Sequence, residues 1–453
     1  MKLLKSILLL LCVFLFSQYV FADRSNPYRI IVKLKNMPKI ASLAAIKPHL
    51  NDLEETLDLK INKVVPMAGG AYILIFEPDQ IQQLAEKTRT TTDVAFNNLI
   101  QSLANKDDMI FVVQDRIVQL DHVKRHFFTQ PPANISHDDQ WDQRNIPESP
   151  SAIDPWGVNL AKAWDITKGE NVVVAVIDTG IAHNNDLNGN ILPGYNFYDY
   201  NNDNTDYGDQ TYYNGTHVAG IIAANGVIFG MAPKTKIVPI LVLKPDAYDS
   251  DIVNSMYWAV NEIIPDIPEN PHPAKVLNLN VWARGQCSQL YQDAIDMVKS
   301  KGATVVFSAT SGNENAQNVY PANCKNAITV AATNYGGIRA LYSNYGSSIT
   351  IAAPGGMTRV PNDENGILST IKDGYIYYEG TSMAAPHVAG IAALIYSIKP
   401  NATPSQVQSL LTSTVHKFFV PPSHIEFDCT GTKTCGAGIV DAYAAVKAAQ
   451  DAP

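Results

Sequence analysis

The sequence is poor in charge, poor in cysteine and, beyond its first residues, poor in long apolar runs. Charged residues make up 17% of 453, and the formal net charge is -9. Binding a phosphate backbone needs a basic surface, so this acidic balance argues against nucleic acid as a partner. There are five cysteines, none in C-x-x-C spacing, so the ligand pattern of a structural zinc site is missing. After residue 22 no continuous apolar run approaches the roughly 18 residues of a membrane span, so no stable membrane anchor is expected. No fibrous repeat or disorder-type composition interrupts the chain. With 46% hydrophobic residues it can bury a sizeable core, and its length allows about two to three domains.

The first 22 residues have the plan of an export signal. Lys2 and Lys5 precede the apolar run Ile7–Phe16, and Val20-Phe21-Ala22 offers small residues for cleavage. A secreted protein is expected, either extracellular or periplasmic. Cys12 leaves with the signal. Cys287, Cys324, Cys429 and Cys435 remain, an even set in an exported chain, with three possible connectivities. The short separation of Cys429 and Cys435 favours that pair, with Cys287 joined to Cys324.

Residues 23–121 read as a small domain in the order β-α-β-β-α-β, a ferredoxin-like pattern. The cues are the strand-like Tyr28–Leu34, a helical Pro38–Leu59, strands about Gly69-Gly70, a helical Val94–Leu103 and an extended Met109–Leu120. Residues 122–153 lose periodicity and gather Pro131, Pro132, Pro147 and Pro150, as an exposed linker with a processing site would. Residues 154–453 alternate β-branched runs, beginning with Val172–Ile177, with helical stretches. A doubly wound α/β fold is expected, its mostly parallel sheet covered by helices on both faces. In such sheets the site lies at the carboxyl ends of the strands.

Three motifs fall at such places: Val174–Asp178-Thr-Gly180, Asn214-Gly-Thr-His217-Val-Ala-Gly220, and Gly380-Thr-Ser382-Met-Ala-Ala-Pro386. Taken singly, each has an ordinary structural explanation: an Asp capping a turn, a packed His, a Ser at a helix N-cap. Together, in the order Asp…His…Ser, they make the chain resemble the subtilisin-like serine proteases, the subtilases. The likeness extends over about Gln140–Ala449.

The resemblance implies a serine endopeptidase acting on proteins or peptides as a monomer. Ser382 would be its nucleophile, His217 the base and Asp178 the group that orients the base. Asn313, in Ser311-Gly312-Asn313-Glu314, would donate to the oxyanion together with the Ser382 backbone N–H. The small domain would be the chain's own propeptide, a folding aid and inhibitor removed by self-processing. No cofactor is required for catalysis. Structural calcium is an option without assigned ligands, the acidic loop Asp199, Asp203, Asp206 and Asp209 being one place for it.

Two departures stand out. Asn280, Val281, Trp282 and Ala283 occupy the stretch where substrate backbone would pair as an added strand, with Trp282 in place of a Gly. Asn214 stands where many relatives carry a second His, a position to which the resemblance assigns no catalytic role. The alternative function is a catalytically weak or inactive peptide-binding homologue with an altered groove.

Overall fold

The structure, a computed structural model, describes residues 28–35, 43–57, 59–121, 135–146, 154–205, 213–244, 246–360, 363–418, 429 and 431–452. The signal segment and most of the linker lie outside these. The chain divides into two compact units, the first formed by Met1–Arg116 with 199–201 and 263–268, the second by the remainder.

In the first unit, β1 (Arg29–Leu34), α1 (Leu43–Leu57), β2 (Lys63–Pro66), β3 (Ala71–Ile75), α2 (Pro78–Thr88), α3 (Thr92–Ala104) and β4 (Met109–Gln114) follow in order. The sheet runs β2-β3-β1-β4 with antiparallel pairings. This is the small α+β arrangement expected, with a further helix, α2. Pro78 at the start of α2 and the reciprocal Glu77/Gln80 capping box explain why that helix begins where it does. Ile30, Val32, Leu34, Leu74, Phe76 and Leu103 are essentially buried between sheet and helices. Arg29 is also fully buried, and pairs with Asp115 at 2.7 Å.

The second unit begins with β5 (Ile117–Leu120), so 117–121 belongs to it and not to the small domain in which the sequence placed these residues. Then come α4 (Leu160–Trp164), β6 (Val173–Asp178), β7 (Tyr195–Asn196), α5 (Asn214–Ala223), β8 (Lys236–Leu241), β9 (Asp246–Tyr248) and α6 (Asp249–Ala259). They are followed by β10 (Val276–Leu279), β11 (Val281–Arg284), α7 (Gln289–Ser300), β12 (Thr304–Ser308), β13 (Val319–Tyr320), β14 (Ile328–Thr333) and β15 (Ile351–Pro354). The chain closes with β16 (Ile367–Ile371), β17 (Gly374–Tyr378), α8 (Thr381–Ile398), α9 (Pro404–Ser413) and α10 (Ala442–Asp451).

A parallel seven-stranded sheet, β15-β14-β12-β10-β6-β8-β7, forms the centre. Its β-branched strands are buried throughout, as their uninterrupted apolar runs require. Helix α8 is long and apolar: its 18 residues have mean hydropathy 1.3, enough by length and composition for a membrane span. Yet 89% of it is buried inside the protein, where it serves as the core helix. Two disulfides close the loops, Cys287–Cys324 and Cys429–Cys435. A second, four-stranded sheet has the order β13-β11-β5-β9 and positions the site.

Candidate active site

Asp178 ends β6 at the carboxyl edge of the large sheet and is fully buried. A carboxylate there needs donors, and it has them. The Thr179 N–H donates at 2.8 Å and the Asn280 amide at 3.1 Å, while the Asn214 amide reaches both oxygens at 2.9 and 3.0 Å. Burial nevertheless raises the Asp178 pKa, outweighing these hydrogen bonds. Asn214 opens α5. The next residue must be glycine, because a Cβ at Gly215 would stand 2.2 Å from the Gly180 carbonyl oxygen. That close approach of helix to turn carries the Asn214 side chain onto Asp178.

His217 lies one turn further along the same helix. Its ring stacks on Tyr378, with centroids 4.6 Å apart, and its Nε2 donates to the Ile376 carbonyl at 3.1 Å. Nδ1 is buried without a hydrogen-bond partner. Desolvation pushes its pKa down to about 3, so the ring is neutral across the ordinary pH range. The expected Asp178–His217–Ser382 relay is therefore not assembled: the amide of Asn214, not the imidazole of His217, engages the acid. The reason is angular. Residues three apart on a helix lie on neighbouring parts of its surface, and here only the first is directed at Asp178. The signal was present in the sequence, where two positions one turn apart competed for one role and an amide occupied the first.

Ser382 occupies the first turn of α8, fully buried, and its Oγ donates to Asp121 Oδ2 at 3.1 Å. Asp121 received no role from the sequence, yet it meets Ser382 directly. Ser311 and Thr381, the other donors to its carboxylate, were likewise not singled out. Asn313 is exposed, its N–H on the Tyr342 carbonyl and its Oδ1 accepting from buried Arg339 at 3.0 Å.

The groove residues lie along β5. Val281 pairs with Leu120 and Trp282 with Gln119, antiparallel, while β9 pairs with the other edge of β5. Ala283 pairs with Tyr320 on β13, and Asn280 accepts the Asp121 N–H at 2.9 Å. The Trp282 indole does not close the groove. It lies half-buried at its side and donates to the Leu120 carbonyl at 3.2 Å.

Among the described residues no group of three or more His, Cys, Asp and Glu gathers as a metal site. Asp206 and Asp209 of the acidic loop lie outside these residues. At the Asn225–Gly230 turn, Asp186 accepts from the Ile228 N–H and the Tyr375 hydroxyl, each at 3.0 Å.

Residues 169–441 match the family model for the subtilase family. Over 332 residues the chain is 40% identical to an extracellular protease of Xanthomonas campestris, covering 65% of this chain and 54% of that protein. Over 388 residues it is 35% identical to an extracellular basic protease of Dichelobacter nodosus, covering 77% and 60%. It thus spans little more than half the length of these relatives. A solved protease structure from Pseudoalteromonas arctica superposes with TM-score 0.61 at 39% identity, covering 69% of this chain and 97% of that one. With the parallel sheet and the ordered Asp and Ser motifs, these similarities establish that the chain belongs to the subtilase family of serine proteases.

Proposed function

We propose that this chain is an exported subtilase of attenuated hydrolytic power, which holds an extended peptide in its groove and cleaves it slowly at Ser382. One observation carries the reading: Asn214 occupies both oxygens of Asp178, the place from which a base would be oriented. A serine hydroxyl attacks a carbonyl well only when a neighbouring base accepts its proton. A carboxamide has no basic nitrogen, and His217 faces Ile376 and Tyr378. The N-terminal signal, the disulfides and the extracellular relatives support export. Protein or peptide segments are the partners, and residues 23–121 act as the chain's own inhibitory propeptide. Without an internal base, cutting within 122–153 falls to another protease.

The second reading is an efficient endopeptidase with an Asp178–His217–Ser382 triad, favoured by the protease names of the relatives. Replacing Asn214 by His separates the two. On a chromogenic peptide, Asn214→His raises kcat/KM by about 10²–10⁴-fold, the usual contribution of a general base. Ser382→Ala abolishes the gain. Wild-type hydrolysis already equal to that of the Asn214→His protein, with loss of activity on replacing His217, refutes the attenuated reading.

A further inference from the structure

We propose that the end of the groove is a receptor for a side-chain carboxyl group, so that the chain selects peptides whose last docked residue is aspartate. The inference rests on the reading of the groove as a peptide site, but not on how the proton of Ser382 is handled.

Asp121 is 1% exposed. The Ser311 N–H donates to its Oδ1 at 2.9 Å. Its Oδ2 accepts from Ser311 Oγ at 3.4 Å, from Ser382 Oγ at 3.1 Å and from Thr381 Oγ1. The main chain is fixed as well, the Asp121 N–H donating to the Asn280 carbonyl at 2.9 Å. A backbone donor cannot rotate to become an acceptor, so the Oδ1 position accepts only an oxygen with a free lone pair. Thr381 and Ser382 also stand in the first turn of the 18-residue helix α8, so the carboxyl oxygens meet that helix at its N-terminal end. Among the described residues no cation forms an ion pair with Asp121; the receptor is built from neutral donors.

The preceding residues complete the pattern. Along β5, Val118 and Leu120 are buried, while Ile117 and Gln119 are exposed. The sheet ladder is indifferent to side chains, so selection falls on alternate positions. The class of ligand is an extended segment with buried aliphatic residues in the first and third places and a terminal Asp in the fourth. Alanine leaves four donors without an acceptor, leucine sets a hydrocarbon against them, and glutamate adds a methylene to an enclosed space.

The test uses the full-length protein. Hydrogen exchange at the β5 amides reports docking of the chain's own segment, and Asp121→Ala lowers their protection at least tenfold. The amide-capped peptide Ile-Val-Gln-Leu-Asp, labelled with fluorescein, then binds the Asp121→Ala protein at least tenfold more tightly than the same peptide ending in Ala, measured by polarisation. Unchanged protection in Asp121→Ala overturns the proposal. So do equal affinities of the two peptides, which would leave the groove reading standing. Failure of both peptides to bind the freed groove removes the groove reading along with it. None of these outcomes depends on hydrolysis, which the Asn214→His experiment measures separately.

Discussion

Replacement of His217 by phenylalanine tests whether that ring works or merely packs. Phenylalanine keeps the stack on Tyr378 and the volume of the ring. Loss of Nε2 strips the Ile376 carbonyl of a donor, a cost of about 1–3 kcal/mol. Loss of the buried, unpartnered Nδ1 removes a liability of similar size. The two offset each other to within about 1 kcal/mol, a change in Tm of no more than about 2–4 °C in a unit of this size. Alanine, by contrast, leaves a cavity and costs about 3 kcal/mol. Calorimetry supplies the Tm, and a chromogenic peptide assay run against Ser382→Ala as the floor supplies the rate. The expected result is a near-native Tm and an unchanged rate for His217→Phe. A neutral imidazole with its pKa near 3 also leaves no limb in the wild-type rate profile between pH 5 and 8. If His217→Phe falls to the Ser382→Ala floor at an unchanged Tm, the ring is the base and the packing argument fails.

Two further predictions concern the strand in the groove and the cross-links. Burial raises the pKa of Asp121 when it is docked, so docking takes up a proton. Protection of the β5 amides, corrected for intrinsic exchange, is therefore greatest below the free carboxyl pKa of about 4 and declines as pH rises through the docked value; an increase with pH refutes this. Cys287 and Cys324 are 37 residues apart and Cys429 and Cys435 six apart. Loop-closure entropy gives about 4 kcal/mol for the first bridge and about 2 for the second. Paired Cys→Ser variants compared by denaturant unfolding check that order.

Much of the fold was legible because it depends on repetitive patterning. Val172–Ile177 and its counterparts could only be buried strands, and glycine-flanked motifs at their ends marked the site region. The Cys429–Cys435 pairing followed from the short separation of the two residues. What the sequence left open was direction. His217 and Asn214 share one helix, and which of them meets Asp178 depends on a contact between Gly215 and Gly180 that no periodicity reveals. Asp121 was illegible for another reason: its partners, Ser311, Thr381 and Ser382, lie some 190 to 261 residues away.

Strand β5 is an interior member of its sheet, hydrogen-bonded on both edges. Were it withdrawn, β9 and β11 would face each other across a slot about 10 Å wide, two strand spacings. Only one fully stretched chain fits such a gap; helices, hairpins and the edge of another folded sheet are too thick to enter. If the proposed function holds, such a groove would discriminate by foldedness before any side chain is read, refusing native proteins along most of their length and admitting unravelled loops or denatured chains. The same narrowness shields two sticky backbone edges from neighbouring molecules.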